Sequence, residues 1–94
     1  MISKTFKVLV LPELLRDIPP NLEDTIKASL KELKEPYPGQ GRGDKKLIQG
    51  ASDVVYRMRI GDYRAFYRIE KEERCIYVFD ILTAEAAHKK YGRL

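Results

Sequence analysis

The dipeptide Gly61-Asp62 stands between two runs rich in Val, Ile, Tyr and Phe, Asp53–Ile60 and Tyr63–Ile69. Glycine tolerates the positive φ of a primed two-residue turn, so the pattern predicts a β-hairpin. A loop of that length fixes the register: Ile60 opposite Tyr63, Arg59 opposite Arg64, Arg57 opposite Phe66 and Val55 opposite Arg68. Successive strand side chains alternate between faces. One face therefore carries Tyr56, Met58, Ile60, Tyr63, Ala65, Tyr67 and Ile69, and the other carries Arg57, Arg59, Arg64 and Arg68 with Val55 and Phe66 among them. The first is a core face. The second is a cluster of guanidinium groups.

Directly opposed like charges such as Arg59 and Arg64 cost roughly a few tenths of a kcal/mol in a sheet unless an anion sits between them. The cluster is either a solvated face neutralised by Asp53, Asp62 or Asp80, or a site for a polyanion. Guanidinium forks match phosphate geometry bidentately, which makes phosphate the natural ligand of the second reading.

The remainder of the chain supplies the support. Thr5–Leu11 is a short apolar strand ended by Pro12, and Pro12–Asp17 fits one or two helical turns. Ile18-Pro19-Pro20 breaks that helix. Asn21 is a candidate N-cap for a helix over 21–34, whose Leu22, Ile26, Leu30 and Leu33 form an apolar stripe opposite Lys27, Lys31 and Lys34. Pro36–Asp44 is loop by composition and lacks a phosphate-cradling Gly-Lys-Ser/Thr ending. Lys45–Gly50 leads into the hairpin, with Leu47 as its anchor. Cys75–Leu82, the most apolar run, is expected as a central strand with a buried thiol at Cys75. Thr83 caps a short helix, Ala84–Tyr91, that Gly92 stops.

The order β-α-α-β-β-β-α makes one α+β domain over residues 1–94, a mostly antiparallel sheet with its helices gathered on one face. The face carrying the arginines is then left open. Ninety-four residues suffice for one core. The net charge of +4 favours anionic partners, and seven basic residues lie between Arg42 and Arg68 against Asp44, Asp53 and Asp62. A single cysteine excludes an internal disulfide and argues for a reducing compartment, and no stretch approaches a membrane span, so a cytoplasmic protein is expected. One His and one Cys far apart cannot build an ordinary structural zinc site.

The chain resembles the RelE/ParE superfamily, the toxins of type II toxin–antitoxin pairs. The likeness rests on the strand followed by two helices, the lead-in Lys46-Leu47-Ile48-Gln49-Gly50, the core Tyr56-Arg57-Met58-Arg59 with Gly61-Asp62-Tyr63-Arg64-Ala65-Phe66-Tyr67-Arg68, and a basic tail containing Tyr91. The resemblance implies a RelB-like antitoxin partner, assembled with the toxin as a heterotetramer. Some members cut messenger RNA on the ribosome and others poison DNA gyrase. For the ribonuclease branch it implies Arg57, Arg59 and Arg64 as phosphate-binding groups and Tyr91 as the C-terminal tyrosine. The usual basic residue before that tyrosine is missing from Ala84–Lys90, leaving His88, Lys89 or Lys90 to substitute. Lys45, Lys46, Arg68, Lys89 and Lys90 would then bind RNA, with ribosome and messenger as partners.

The residues fit that chemistry independently. Cleavage by 2′-hydroxyl attack needs a base for the hydroxyl, cations for the charge on the phosphorane and an acid for the 5′-oxygen. No carboxylate pair suited to a metal lies in the cluster, so a metal-free mechanism with no cofactor is expected. Histidine titrates near neutrality, which makes His88 a candidate acid or base. Tyr91 can stack on a base, donate a proton or simply pack the tail onto the sheet. Three readings remain open: a ribosome-dependent endoribonuclease, a gyrase-directed toxin, and a relic that only binds its antitoxin. The apolar residues Leu14 and Leu15 and those of helix 21–34 are the expected seat of that antitoxin.

Overall fold

A computed structural model describes residues 5–37, 45–48 and 54–92. Asp53, most of the Pro36–Asp44 loop and the Gln49-Gly50 pair lie outside the described residues.

Among the described residues, five strands form one sheet in the order β1-β5-β4-β3-β2. They are β1 (Lys7–Val10), β2 (Lys45–Ile48), β3 (Val55–Ile60), β4 (Tyr63–Glu70) and β5 (Cys75–Thr83). Only β1 and β5 run parallel. The hairpin has the expected register, with Ile60 facing Tyr63, Arg59 facing Arg64 and Arg57 facing Phe66. Gly61 takes a φ of 54°, the positive value a tight turn requires of one residue.

The helix expected over 21–34 begins one residue earlier, as α1 (Pro20–Leu30), and tightens into a 3-10 turn over Lys31–Lys34. Pro20 opens it because its missing N–H would be unsatisfied there in any case. Pro19, not Asn21, takes the cap position. Ile26, Leu30 and Leu33 bury against the sheet as the stripe requires. They join Met58, Ile60, Ala65, Tyr67, Ile76 and Val78 in the larger core, with Leu14, Leu15 and Leu22 packed at its margin. The Tyr67 hydroxyl donates to the Pro36 carbonyl oxygen at 2.6 Å, which satisfies the one polar atom of a fully buried ring.

Four expectations are corrected. Lys45–Ile48 is a fourth antiparallel strand rather than a lead-in, while β5 is the interior strand expected, flanked by β1 and β4. Cys75 is only half buried at the start of β5, its thiol 3.4 Å from the Glu73 carbonyl oxygen. The apolar stripe of α1 is consumed by the chain's own sheet, so Ile26, Leu30 and Leu33 cannot seat a partner. The arginine face is not left open either. α2 (Ala84–Tyr91) packs on it, enclosing a second, smaller core of Val55, Phe66 and Ala87, edged by Ile48, Phe79, Leu82 and Tyr91.

Where β4 meets β5 the ladder slips: Tyr67 faces Val78 while Phe66 faces Asp80, leaving Phe79 as an extra residue. Strict alternation from Val78 would turn Asp80 toward the larger core. The bulge re-aims it to the face covered by α2.

Candidate functional site

The opposed arginines Arg59 and Arg64 lie at the turn end of the hairpin, on the same face as α2. Arg59 is exposed and Arg64 half exposed. Arg64 is not a loose surface side chain. Its Nη1 donates to the carbonyl oxygens of Gly61 and Tyr63, each at 2.8 Å, and these contacts fix the guanidinium plane against its own turn.

α2 starts beside that turn. The Ala84 N–H donates to the Asp62 carbonyl oxygen at 2.7 Å, and the Ala86 N–H donates to Thr83 Oγ1 at 3.1 Å as the expected cap. From this anchored start the helical period sorts the short sequence into two stripes. Ala87 and Tyr91 turn toward the sheet. Ala84, His88 and Gly92 follow one another at four-residue spacing and, with Arg64, line a shallow depression of about 200 Å³. His88 is exposed there. The helix therefore places an imidazole and a guanidinium, distant in sequence, on one concave surface.

The other expected site residues are distributed less simply. Arg57 shares the face but is only 4% exposed. Lys46 faces Arg57 across the ladder, whereas Lys45 faces Met58 and so points to the side of the larger core. Arg68 lies farther along β4, exposed, its guanidinium carbon 5.5 Å from the centre of the Phe79 ring. Lys89 is exposed and pairs loosely with Glu85 at 3.6 Å. Lys90 and Tyr91 both reach down to Asp80. The Lys90 ammonium donates to Asp80 Oδ2 at 2.7 Å and the Tyr91 hydroxyl to the same oxygen at 2.9 Å. The Tyr91 ring lies over Phe66, centroids 4.2 Å apart. Burial first, then the bond to Asp80, raises the Tyr91 pKa above its ordinary value. The hydrogen bond from Lys90 to Asp80 likewise raises the lysine's pKa.

Asp80, one of the carboxylates that could neutralise the arginines, lies on their face but is buried, 8% exposed, and its described partners come from α2. A carboxylate inside the most apolar run was the available signal, since such a group demands charged or hydrogen-bonding partners. Among the described residues no group of three or more His, Cys, Asp or Glu side chains is arranged to hold a metal ion.

Residues 13–87 match the family model of the ParE toxin of the type II toxin–antitoxin system parDE. A protein of Methanocaldococcus jannaschii named as the toxin RelE1 is 37% identical over 76 residues, which span 80% of this chain and 82% of that protein. Among solved structures, the RelE of the archaeal RelE–RelB complex from Pyrococcus horikoshii superposes with a TM-score of 0.66 at 24% identity, covering 84% of this chain and 94% of that one. The toxin–antitoxin complex RelBE2 from Mycobacterium tuberculosis gives 0.70 at 19% identity, covering 84% and 98%. At these identities the two structures establish the fold and no more.

Proposed function

Because the chain belongs to the RelE/ParE superfamily of type II toxins, we propose that it is a ribosome-dependent endoribonuclease that halts translation by cutting messenger RNA. The protein is a toxin and an antitoxin is its partner; both solved structures superposed above are toxin–antitoxin complexes. The nuclease reading rests on one observation, the shared depression lined by Arg64 and His88 beside the exposed Arg59.

A phosphodiester seated there meets two guanidinium groups and one imidazole. In the reaction the 2′-hydroxyl oxygen attacks phosphorus as its proton is withdrawn, the bond from phosphorus to the 5′-oxygen breaks, and that oxygen takes up a proton. Arg59 and Arg64 offset the charge that builds on the non-bridging oxygens, where fixed donors contribute most. His88 is the proton-transfer group. Lys46 and Arg68 extend the positive track along the strands for the flanking phosphates. Arg57 adds potential from inside the sheet rather than a direct contact, and Lys90 and Tyr91 act through the helix they anchor.

Induction of the wild-type chain should stop protein synthesis and produce codon-phased cuts in messenger RNA. Arg64→Ala should lower the cleavage rate by roughly a hundred- to a thousandfold while the protein stays folded, by analogy with a deleted oxyanion donor. The match to a ParE model favours a second reading, a toxin directed at DNA gyrase. Growth arrest with continuing protein synthesis and accumulating DNA breaks would put that reading in place of the first.

A further inference from the structure

We infer that Asp80 is the positioning residue of the site: it holds α2 on the sheet, and through α2 it holds His88 beside Arg64. This rests on the nuclease reading for what His88 does, but the placement stands on geometry alone.

Three observations converge on Asp80. The bulge at Phe79 diverts the carboxylate from the larger core to the α2 face, a departure from regular pairing that leaves Phe79 without a partner in the ladder. Once diverted, the carboxylate is buried and receives two donors from neighbouring residues of α2, Lys90 and Tyr91. The apolar contact of α2 is confined to Ala87, its one fully buried residue, and the Tyr91 ring on Phe66, neither of which fixes the direction of the last turn as hydrogen bonds do. A helix of eight residues cannot stand by itself in water. Its first turn is fixed by Asp62 and Thr83. Its last turn is fixed by Asp80. His88 lies between these two attachments, so the carboxylate sets where the imidazole can sit relative to Arg64.

Arg59 and Arg64 belong to the sheet and need no helix to hold them. Loss of Asp80 should therefore separate turnover from binding. Asp80→Ala should cleave ribosome-bound messenger about a hundredfold more slowly at saturating toxin, the loss expected when a reacting group is displaced by about 1 Å. Its dissociation constant for a short single-stranded RNA should stay within about twofold, because the phosphate-binding groups are untouched. Asp80→Asn, which keeps an oxygen to accept from Tyr91, should fall between the two. Amide hydrogen exchange supplies the arm that does not depend on activity: in Asp80→Ala the amides of His88 to Tyr91 should exchange faster while those of β3 and β4 do not.

Unchanged exchange in α2, a wild-type rate of turnover, or rate and RNA affinity falling together in Asp80→Ala would each overturn the inference. If the wild-type chain cuts no RNA, the nuclease reading fails by itself, and the exchange measurement still decides whether Asp80 anchors the helix.

Discussion

The two sides of the sheet are held by different means. On one side, α1 and its 3-10 extension deliver Ile26, Leu30 and Leu33 into a core that also takes Met58, Tyr67, Ile76 and Val78. On the other, α2 brings its own Ala87 onto Val55 and Phe66 in a smaller core, and relies on a carboxylate, an ammonium and a phenol at its end. Apolar burial is non-directional and scales with area, so the first side is stable without fixing any atom with particular accuracy. Hydrogen bonds to a buried carboxylate contribute less energy but specify direction. The fold is thus made stable on one face and oriented on the other, and the face that is oriented carries the candidate site.

The largest expected effect tests the stable side. Met58→Ala should cost about 2–5 kcal/mol in denaturant unfolding, with the cavity left only partly filled by collapse of its neighbours. Arg64→Ala sharpens the contrast, because the structure gives this arginine a second duty. A bare surface arginine would leave stability unchanged, whereas loss of its bonds to the Gly61 and Tyr63 carbonyls should cost about 1 kcal/mol, discounted for exposure. Thermal unfolding of the variant measures it. Tyr91→Phe keeps the ring on Phe66 and removes only the hydroxyl, so about 0.5–1.5 kcal/mol is expected, felt as local opening of α2 in hydrogen exchange. A Tyr91→Phe protein as unstable as Met58→Ala would break the comparison.

The smallest effect is one of pH. The folded pKa values of both Lys90 and Tyr91 are raised, from ordinary values of 10.5 and 10.0. Their contributions are complete below those ordinary values and are lost as pH rises through the raised ones. The α2 anchor should therefore be indifferent to pH near neutrality and loosen only in strong alkali. A Lys90→Met, Tyr91→Phe double variant should lack the extra alkaline sensitivity expected of the wild type above about pH 10.

The hairpin was fully legible in the sequence because a two-residue turn ties every residue of one strand to a partner on the other. Once Gly61-Asp62 was identified, the faces followed. The stripe of α1 was legible for a similar reason, a regular period with large side chains. α2 was legible as a helix, and Tyr91 as a residue that could pack it onto the sheet, but the face it covers was not, because Ala87 and Tyr91 alone give little apolar signal. Arg57 was placed on the guanidinium face by alternation, which gives a side of the sheet but not a degree of exposure, and it is buried there. The bulge at Phe79 could not be read at all. It changes the side of the sheet for Asp80 without any glycine or proline to mark it. Strand β2 was missed because its four residues are too few to show an alternation.

The parallel pairing of β1 with β5 joins residues 7–10 to residues 75–78, 68 positions apart in a chain of 94. Closing so long a loop must be offset by contacts formed elsewhere first, whereas a hairpin with a two-residue turn closes within about 1–10 μs. The order of assembly follows. The β3–β4 hairpin, with Arg59 and Arg64 already opposed, forms early from local contacts. Strand β1 waits until β5 has paired with β4. Mutations in β1 should consequently speed unfolding and leave the rate of folding nearly untouched, while mutations at the Gly61-Asp62 turn should slow folding itself.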